Sequence, residues 1–328
     1  MSSTTSAAGE CKLVVTDTSR HLPTDAITAH PTTTAIHPPH NPYNYVPTEW
    51  ICVLFVVLFS ITTILHIAQA TRYRFWWLFP TAVLAGFAEV IGWAGRLWSS
   101  QNATLLDPFL MQITTTIIAP TPLVAANFII LGRIIGRLGS QYSRLSPMWY
   151  MIVFCSCDLI ALIVQAIGGA SASMAARQYK SATTGGHIML GGIVFQMAAI
   201  TIYVACAAEF FWCFYHDRPV RKSSSQNKVS RAMAIDKNTR LMIAGLALCT
   251  VTIFIRSVYR TVELTDGWNG RIISTQVYFN VLDGGMITIA MFTLNFFHPG
   301  RLLVPLPSNS GLQTPEKPLR TNSVDTAV

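Results

Sequence analysis

An all-α membrane protein, a bundle of seven transmembrane helices, is the fold class this sequence predicts, and three observations predict it. Charged residues make up 12% of the 328 residues and hydrophobic ones 51%, where a soluble domain carries about 25% charge. Apolar runs of about 20 residues recur seven times, the length that takes a helix across a hydrocarbon core about 30 Å thick. Lysines and arginines gather on alternate connections between those runs, as they do in multi-pass proteins.

The runs follow in order. Residues 1–49 form a tail rich in Thr, Ser, Pro and His, expected to be disordered and extracytoplasmic. The membrane domain is read over residues 50–300. Span one, Trp50–Gln69, carries no charged residue. Span two, Leu78–Trp98, holds Glu89 and Arg96. Span three, Phe109–Leu131, contains Pro120 and Pro122, which predict a kink and freed carbonyls near its centre. Span four, Met148–Ser171, holds Asp158, Gln165 and Gly168-Gly169. Span five, His187–Tyr215, is the longest and is expected to tilt or protrude. Span six, Leu241–Tyr259, carries Arg256, with Arg260 and Glu263 just beyond. Span seven, Ser274–Phe297, carries Gln276 and Asp283. Residues 301–328 form a second tail expected to be disordered. Glycines at 132 and 136, 185-186 and 191-192 join those of span four as sites of close helix approach.

Fifteen of the 23 lysines and arginines fall on one set of connections, which places the N-terminus outside or in the lumen and the C-terminus in the cytosol. The net charge of +8 then marks the cytosolic face rather than a nucleic-acid footprint. Trp76-Trp77, Trp149-Tyr150 and Trp212 to Tyr215 stand where an interfacial aromatic belt is expected. Asn102-Ala103-Thr104 is a glycosylation sequon in a predicted outer loop. Plasma membrane is the expected location.

Several chemistries find no support. The seven cysteines are scattered and form no CxxC pair. No phosphate loop, HExxH or GxSxG occurs. His66, His187 and His298 fall near span ends on different sides, so no metal site is expected. No catalytic residue or cofactor is assigned, and the partners expected are membrane lipids or amphiphilic small molecules.

What remains is the polar content of the spans. A charge at the bilayer centre costs about 2.5–3.5 kcal/mol on insertion scales, so such residues face the bundle interior. Glu89, Asp158, Gln196 and Asp283 fall near mid-span. Arg96, Gln165, Arg256, Arg260, Glu263 and Gln276 lie toward the predicted outer side. Glu89 and Arg96 are i and i+7, as are Asp158 and Gln165; Arg256, Arg260 and Glu263 follow i, i+4, i+7. Glu89 and Arg96 are about 10 Å apart along the axis, too far to pair. Arg256 is the depth-matched partner of Glu89 and Glu263 that of Arg96; alternatively Asp158 and Asp283 share an arginine. Two readings follow: an outward-facing cavity for an amphiphile's headgroup, or ion pairs that only fix packing. In the first, Glu89, Asp158 and Asp283 would neutralise an amine, while Arg96 and Arg256 would hold a phosphate.

The stretches AEVIGWAGR, APTPLVAANFIILGRIIGRLG, CDLIALIVQAIGGASAS, TGGHIMLGGIVFQ, FIRSVYRTVELTDGWNG and YFNVLDGGM resemble the fungal lipid-translocating exporter family, the RTA-like seven-span proteins. The likeness runs from about Trp50 to Gly300. It departs in span seven, where Gln276 and Asn280 replace a Glu and a Tyr of the family pattern. The resemblance implies export or flipping of sphingoid long-chain bases, phospholipids or lipid-like toxicants. A seven-span lipid or stress receptor that does not itself transport is the alternative. An intramembrane lipid hydrolase would need a metal or an activated nucleophile.

Overall fold

The computed structural model describes residues 41, 43–178, 180–220, 236–267 and 270–303. Apart from residues 41, 43–49 and 301–303, the two tails expected to be disordered lie outside them; Arg301 and Leu302 close a short helix, Pro299–Leu302, rather than opening a loose tail. Among the described residues the chain is helical, without strands. Seven helices are long and apolar enough to cross a membrane: Glu49–Tyr73, Trp76–Gln101, Leu106–Leu138, Pro147–Arg177, Thr183–Tyr215, Lys237–Asp266 and Gln276–Leu302. This is an integral membrane protein. Each predicted run lies within one of these helices, except that the seventh begins at Gln276 rather than Ser274.

The large apolar side chains on their outer faces identify the solvent. Ile64, Ile160, Ile167, Ile202 and Val251 are exposed although each lies mid-helix, an arrangement stable in hydrocarbon and costly in water. Trp50 and Trp98 at one end, and Trp76, Trp149 and Trp212 at the other, are exposed as well. Their amphipathic rings suit the two interfaces.

Each helix packs against the next, span seven closes on span one, and span three reaches across to span six. Span three is the central helix: 72% of its most apolar stretch is buried, against 28% in span four. Below, the Tyr43 end is the end where spans one, three, five and seven begin, and the His298 end is the opposite one.

Three interruptions shape the interior. Span three is broken between Ile118 and Pro120. A proline at 120 has no N–H to give the carbonyl four residues back, which is that of Thr116. Spans two and seven each contain a π-helical stretch, Phe79–Val83 and Phe279–Gly285. Neither was foreseen, and the second includes both Asn280 and Asp283. Such wide turns re-aim side chains and recur at functional sites.

Spans four and five approach most closely. A Cβ on Gly168 would lie 2.5 Å from the Met189 nitrogen, and one on Gly185 would lie 2.3 Å from the Ala172 nitrogen. Gly192 and Gly132 are close-approach sites as expected, with Gln165 Cγ at 2.8 Å and the Pro147 carbonyl oxygen at 3.0 Å from an added Cβ, but two glycines differ from expectation. Gly191 faces open space, and Gly136 has only Pro147 Cγ nearby, at 3.9 Å.

The end of the N-terminal tail also corrects the sequence reading. Residues 43–48 are folded against the bundle rather than loose. Tyr43 is 2% exposed and packs edge-on to Phe109 at 4.8 Å.

Candidate functional site

The charged residues of spans two, six and seven meet against span three. The i, i+4, i+7 spacing puts Arg256, Arg260 and Glu263 on one face of span six. The π-helical stretch of span seven carries Asp283 to that face. Arg260 grips Asp283 with two bonds, Nε to Oδ1 at 2.9 Å and Nη2 to Oδ2 at 2.8 Å. Its Nη1 donates to Glu263 Oε2 at 2.7 Å, and Nη2 also reaches Thr116 Oγ1 at 2.9 Å. The Tyr259 hydroxyl donates to the other Glu263 oxygen at 2.8 Å. Arg256 Nε lies 2.8 Å from Asp283 Oδ1 without being aimed at it. Its Nη2 donates to the Thr116 carbonyl, the one Pro120 leaves without its helical donor. The predicted freeing of a carbonyl thus acquires a partner.

Glu89 does not take Arg256 in the pairing the depths had favoured. It faces Asp283, Arg256 and Arg260 at electrostatic range, yet both its oxygens lack a hydrogen-bond partner. Trp93 Nε1 approaches it without the direction of a hydrogen bond. Arg96 and Glu263 do not pair either. Two arginines share Asp283 and none reaches Asp158. The reason is the unforeseen π-helical stretch, which delivers Asp283 to both arginines and leaves Glu89 with neither.

Arg96 points toward the Tyr43 end. Nη1 donates to Gln112 Oε1 at 3.2 Å and Nη2 to the Tyr45 hydroxyl at 2.7 Å. Its Cζ lies 4.3 Å from the Phe279 ring centre and 5.6 Å from those of Tyr43 and Tyr45. The Tyr43 hydroxyl donates to Gln112 Oε1 at 2.6 Å and lies 3.0 Å from Ser99 Oγ. Burial holds the Tyr43 phenol above its usual range, so it stays a neutral donor. Gln276 stands apart from the charges and accepts from Thr48 Oγ1 at 3.1 Å, tying span seven to the start of span one.

Asp158 and Gln165 belong to a second polar group among spans three, four and five. Gln196 Nε2 reaches Thr121 Oγ1 at 3.1 Å and Asp158 Oδ1 at 3.4 Å, and Gln165 Nε2 donates to Gln196 Oε1 at 3.0 Å. Asp158 Oδ2 and Gln165 Oε1 have no hydrogen-bond partner.

Both groups are closed in this conformation. Glu89, Arg96, Arg256, Arg260, Glu263 and Asp283 are between 1% and 5% exposed. A narrow recess lined by Ile113, Gly186, Leu264, Gly267 and Ile273 reaches Glu263, with a volume of about 10 Å³, roughly one water. Sequence reasoning missed Thr116, Gln112, Tyr43 and Tyr45. The signal for Thr116 was Pro120 four residues on. The signal for the tyrosines was YNY directly before span one.

The helices and this core define a multi-pass membrane protein whose buried charged network is built from spans two, three, six and seven. Comparison with known proteins then gives its kin. Residues 82–305 match the family described as RTA1 like protein, and the chain belongs to that family. The match starts within span two, later than the resemblance read from Trp50. The chain is 30% identical to the sphingoid long-chain base transporter RSB1 of Saccharomyces cerevisiae, over 76% of this chain and 70% of the relative. It is 27% identical to Protein RTA1 of the same yeast, over 74% and 80%. It is 24% identical to the yeast protoporphyrin uptake protein 1, over 78% and 91%. No solved structure matches.

Proposed function

We propose that this protein moves amphiphilic lipids, sphingoid long-chain bases, phospholipids or lipid-like toxicants, across or out of the membrane. The observation that carries the reading is Glu89, a carboxylate 1% exposed whose two oxygens have no hydrogen-bond partner. A buried charge without a partner is costly, and a protonated amine is the partner it lacks. Asp158, with one oxygen free, offers a second such point. Arg256, Arg260, Glu263 and Asp283 hold one another and serve as the rigid wall of the headgroup site. Similarity to a protein named for sphingoid base transport supports the substrate class.

The described conformation is the occluded one in this scheme. The segment around Tyr43 and Tyr45 covers the non-cytosolic entrance, with the C-terminus in the cytosol, Asn102 glycosylated and the protein in the plasma membrane. No catalytic residue or cofactor takes part.

The test is transbilayer movement of labelled sphinganine in liposomes holding the purified protein. Wild type is expected to move it, Glu89→Gln to lose at least tenfold in rate, and Asp158→Asn to lose less. Folded wild-type protein that moves no labelled lipid would replace this reading with a receptor or regulator.

A further inference from the structure

Among the described residues three buried charges have no contact partner of opposite sign: Asp158 in the second polar group, and Glu89 and Arg96 beside the charged network, one of each sign. Arg256 and Arg260 share Asp283, and Arg260 also holds Glu263. Glu89 and Arg96 are left. Both are 1% exposed, and both lie in span two on one helical face, with Trp93 on that face between them. They are about 10 Å apart along the axis. Trp93 cannot step aside easily, because its ring stacks on Phe55 at 4.1 Å and packs on Phe279 at 5.4 Å.

The bonding edge of Arg96 is informative. In Arg260 the Nε–Nη2 edge grips Asp283 with two bonds. In Arg96 the same edge holds one neutral oxygen, the Tyr45 hydroxyl, while Nε has no hydrogen-bond partner, with the neutral Cys52 thiol close to the guanidinium. Such a fork matches a carboxylate or a phosphate. Tyr45 is half-buried and precedes span one, so it can move without unpacking a membrane helix.

We infer that Arg96 is the anion half of a two-point headgroup site whose amine half is Glu89, and that the site selects a zwitterionic amphiphile, an amine bearing a phosphate. The inference rests on the lipid-transport reading and narrows its substrate. A phosphate suits the position because its oxygens can take the whole Nε–Nη2 edge once the Tyr45 hydroxyl gives up Nη2. An ammonium at Glu89 supplies what that carboxylate lacks.

The test measures binding of sphinganine and of sphinganine-1-phosphate to the full chain in nanodiscs, with movement of both in liposomes. Wild type is expected to bind the phosphate ester at least tenfold tighter than the base. Arg96→Gln should bring that ratio to about one. Arg96→Lys should keep a reduced preference, since the charge survives and the fork does not. Tyr45→Phe should raise affinity for the ester by releasing Nη2. Equal binding by wild type, or an unchanged ratio in Arg96→Gln, overturns the inference. If Arg96→Gln does not fold, the same ratio in Arg96→Lys and Tyr45→Phe decides. Wild type that moves the base without discrimination sinks this inference and leaves the transport reading standing; wild type that moves neither sinks both. Inorganic phosphate that displaces the ester at equal concentration overturns the commitment to a lipid.

Discussion

Asp283 and Glu89 are both acids buried to 1% exposure, and their surroundings assign them different work. Asp283 is held by two arginines. Removing its charge leaves both cations without that counterion, which in buried pairs costs about 3–5 kcal/mol. Asp283→Asn is therefore expected to lower the melting temperature in detergent sharply. Glu89 makes no hydrogen bond, so Glu89→Gln is expected to change stability by less than about 1 kcal/mol, or to raise it. Equal melting of the two variants would contradict this division. Spacing alone made the two acids alike, because a periodic pattern shows which face a residue occupies and not which neighbour claims it.

Among the elements, the irregular turns matter as much as the regular ones. Pro120 removes one helical hydrogen bond from span three, and the freed Thr116 carbonyl becomes an acceptor for Arg256. The proline was visible in the sequence, but the arginine that takes the freed carbonyl lies 140 residues from Thr116. The π-helical stretch from Phe279 to Gly285 had no such marker. Elsewhere the seam of spans four and five is set by small residues. Gly185→Val would force a side chain against the Ala172 backbone, and overpacking of this kind costs about 1–3 kcal/mol. Gly191→Ala, where a Cβ meets nothing within 4 Å, should be tolerated within about 0.5 kcal/mol. Thermal unfolding of the two variants measures the contrast, and equal loss would place the seam elsewhere.

At the scale of the whole molecule the remaining question is sidedness. Basic residues cluster on the connections at the His298 end, which predicts that this end faces the cytosol. Asn102 is exposed in the connection after span two at the opposite end, and Thr104 Oγ1 donates to its side chain at 2.9 Å. Protein expressed in yeast is expected to shift in mobility on glycosidase treatment, and Asn102→Gln to abolish the shift. A C-terminal tag should be protected from protease in intact spheroplasts. Protease access to that tag in sealed cells would invert the orientation.

The sequence by itself determined that this is a seven-span helical membrane protein and which ten or so residues are too polar for lipid. Both follow from composition and period, because a hydrocarbon solvent penalises every exposed backbone group and charge. The tertiary structure alone decided how those residues divide. It joined Arg256, Arg260, Glu263 and Asp283 in one network, set Asp158 and Gln165 in another, and folded Tyr43 and Tyr45 over Arg96. Partner choice depends on helix rotation, on two π-helical stretches and on contacts between residues far apart in the chain. A hydrophobic pattern constrains each helix's inward face to within about a third of a turn; a hydrogen bond at 2.8 Å needs a far finer alignment, which packing against the neighbours supplies.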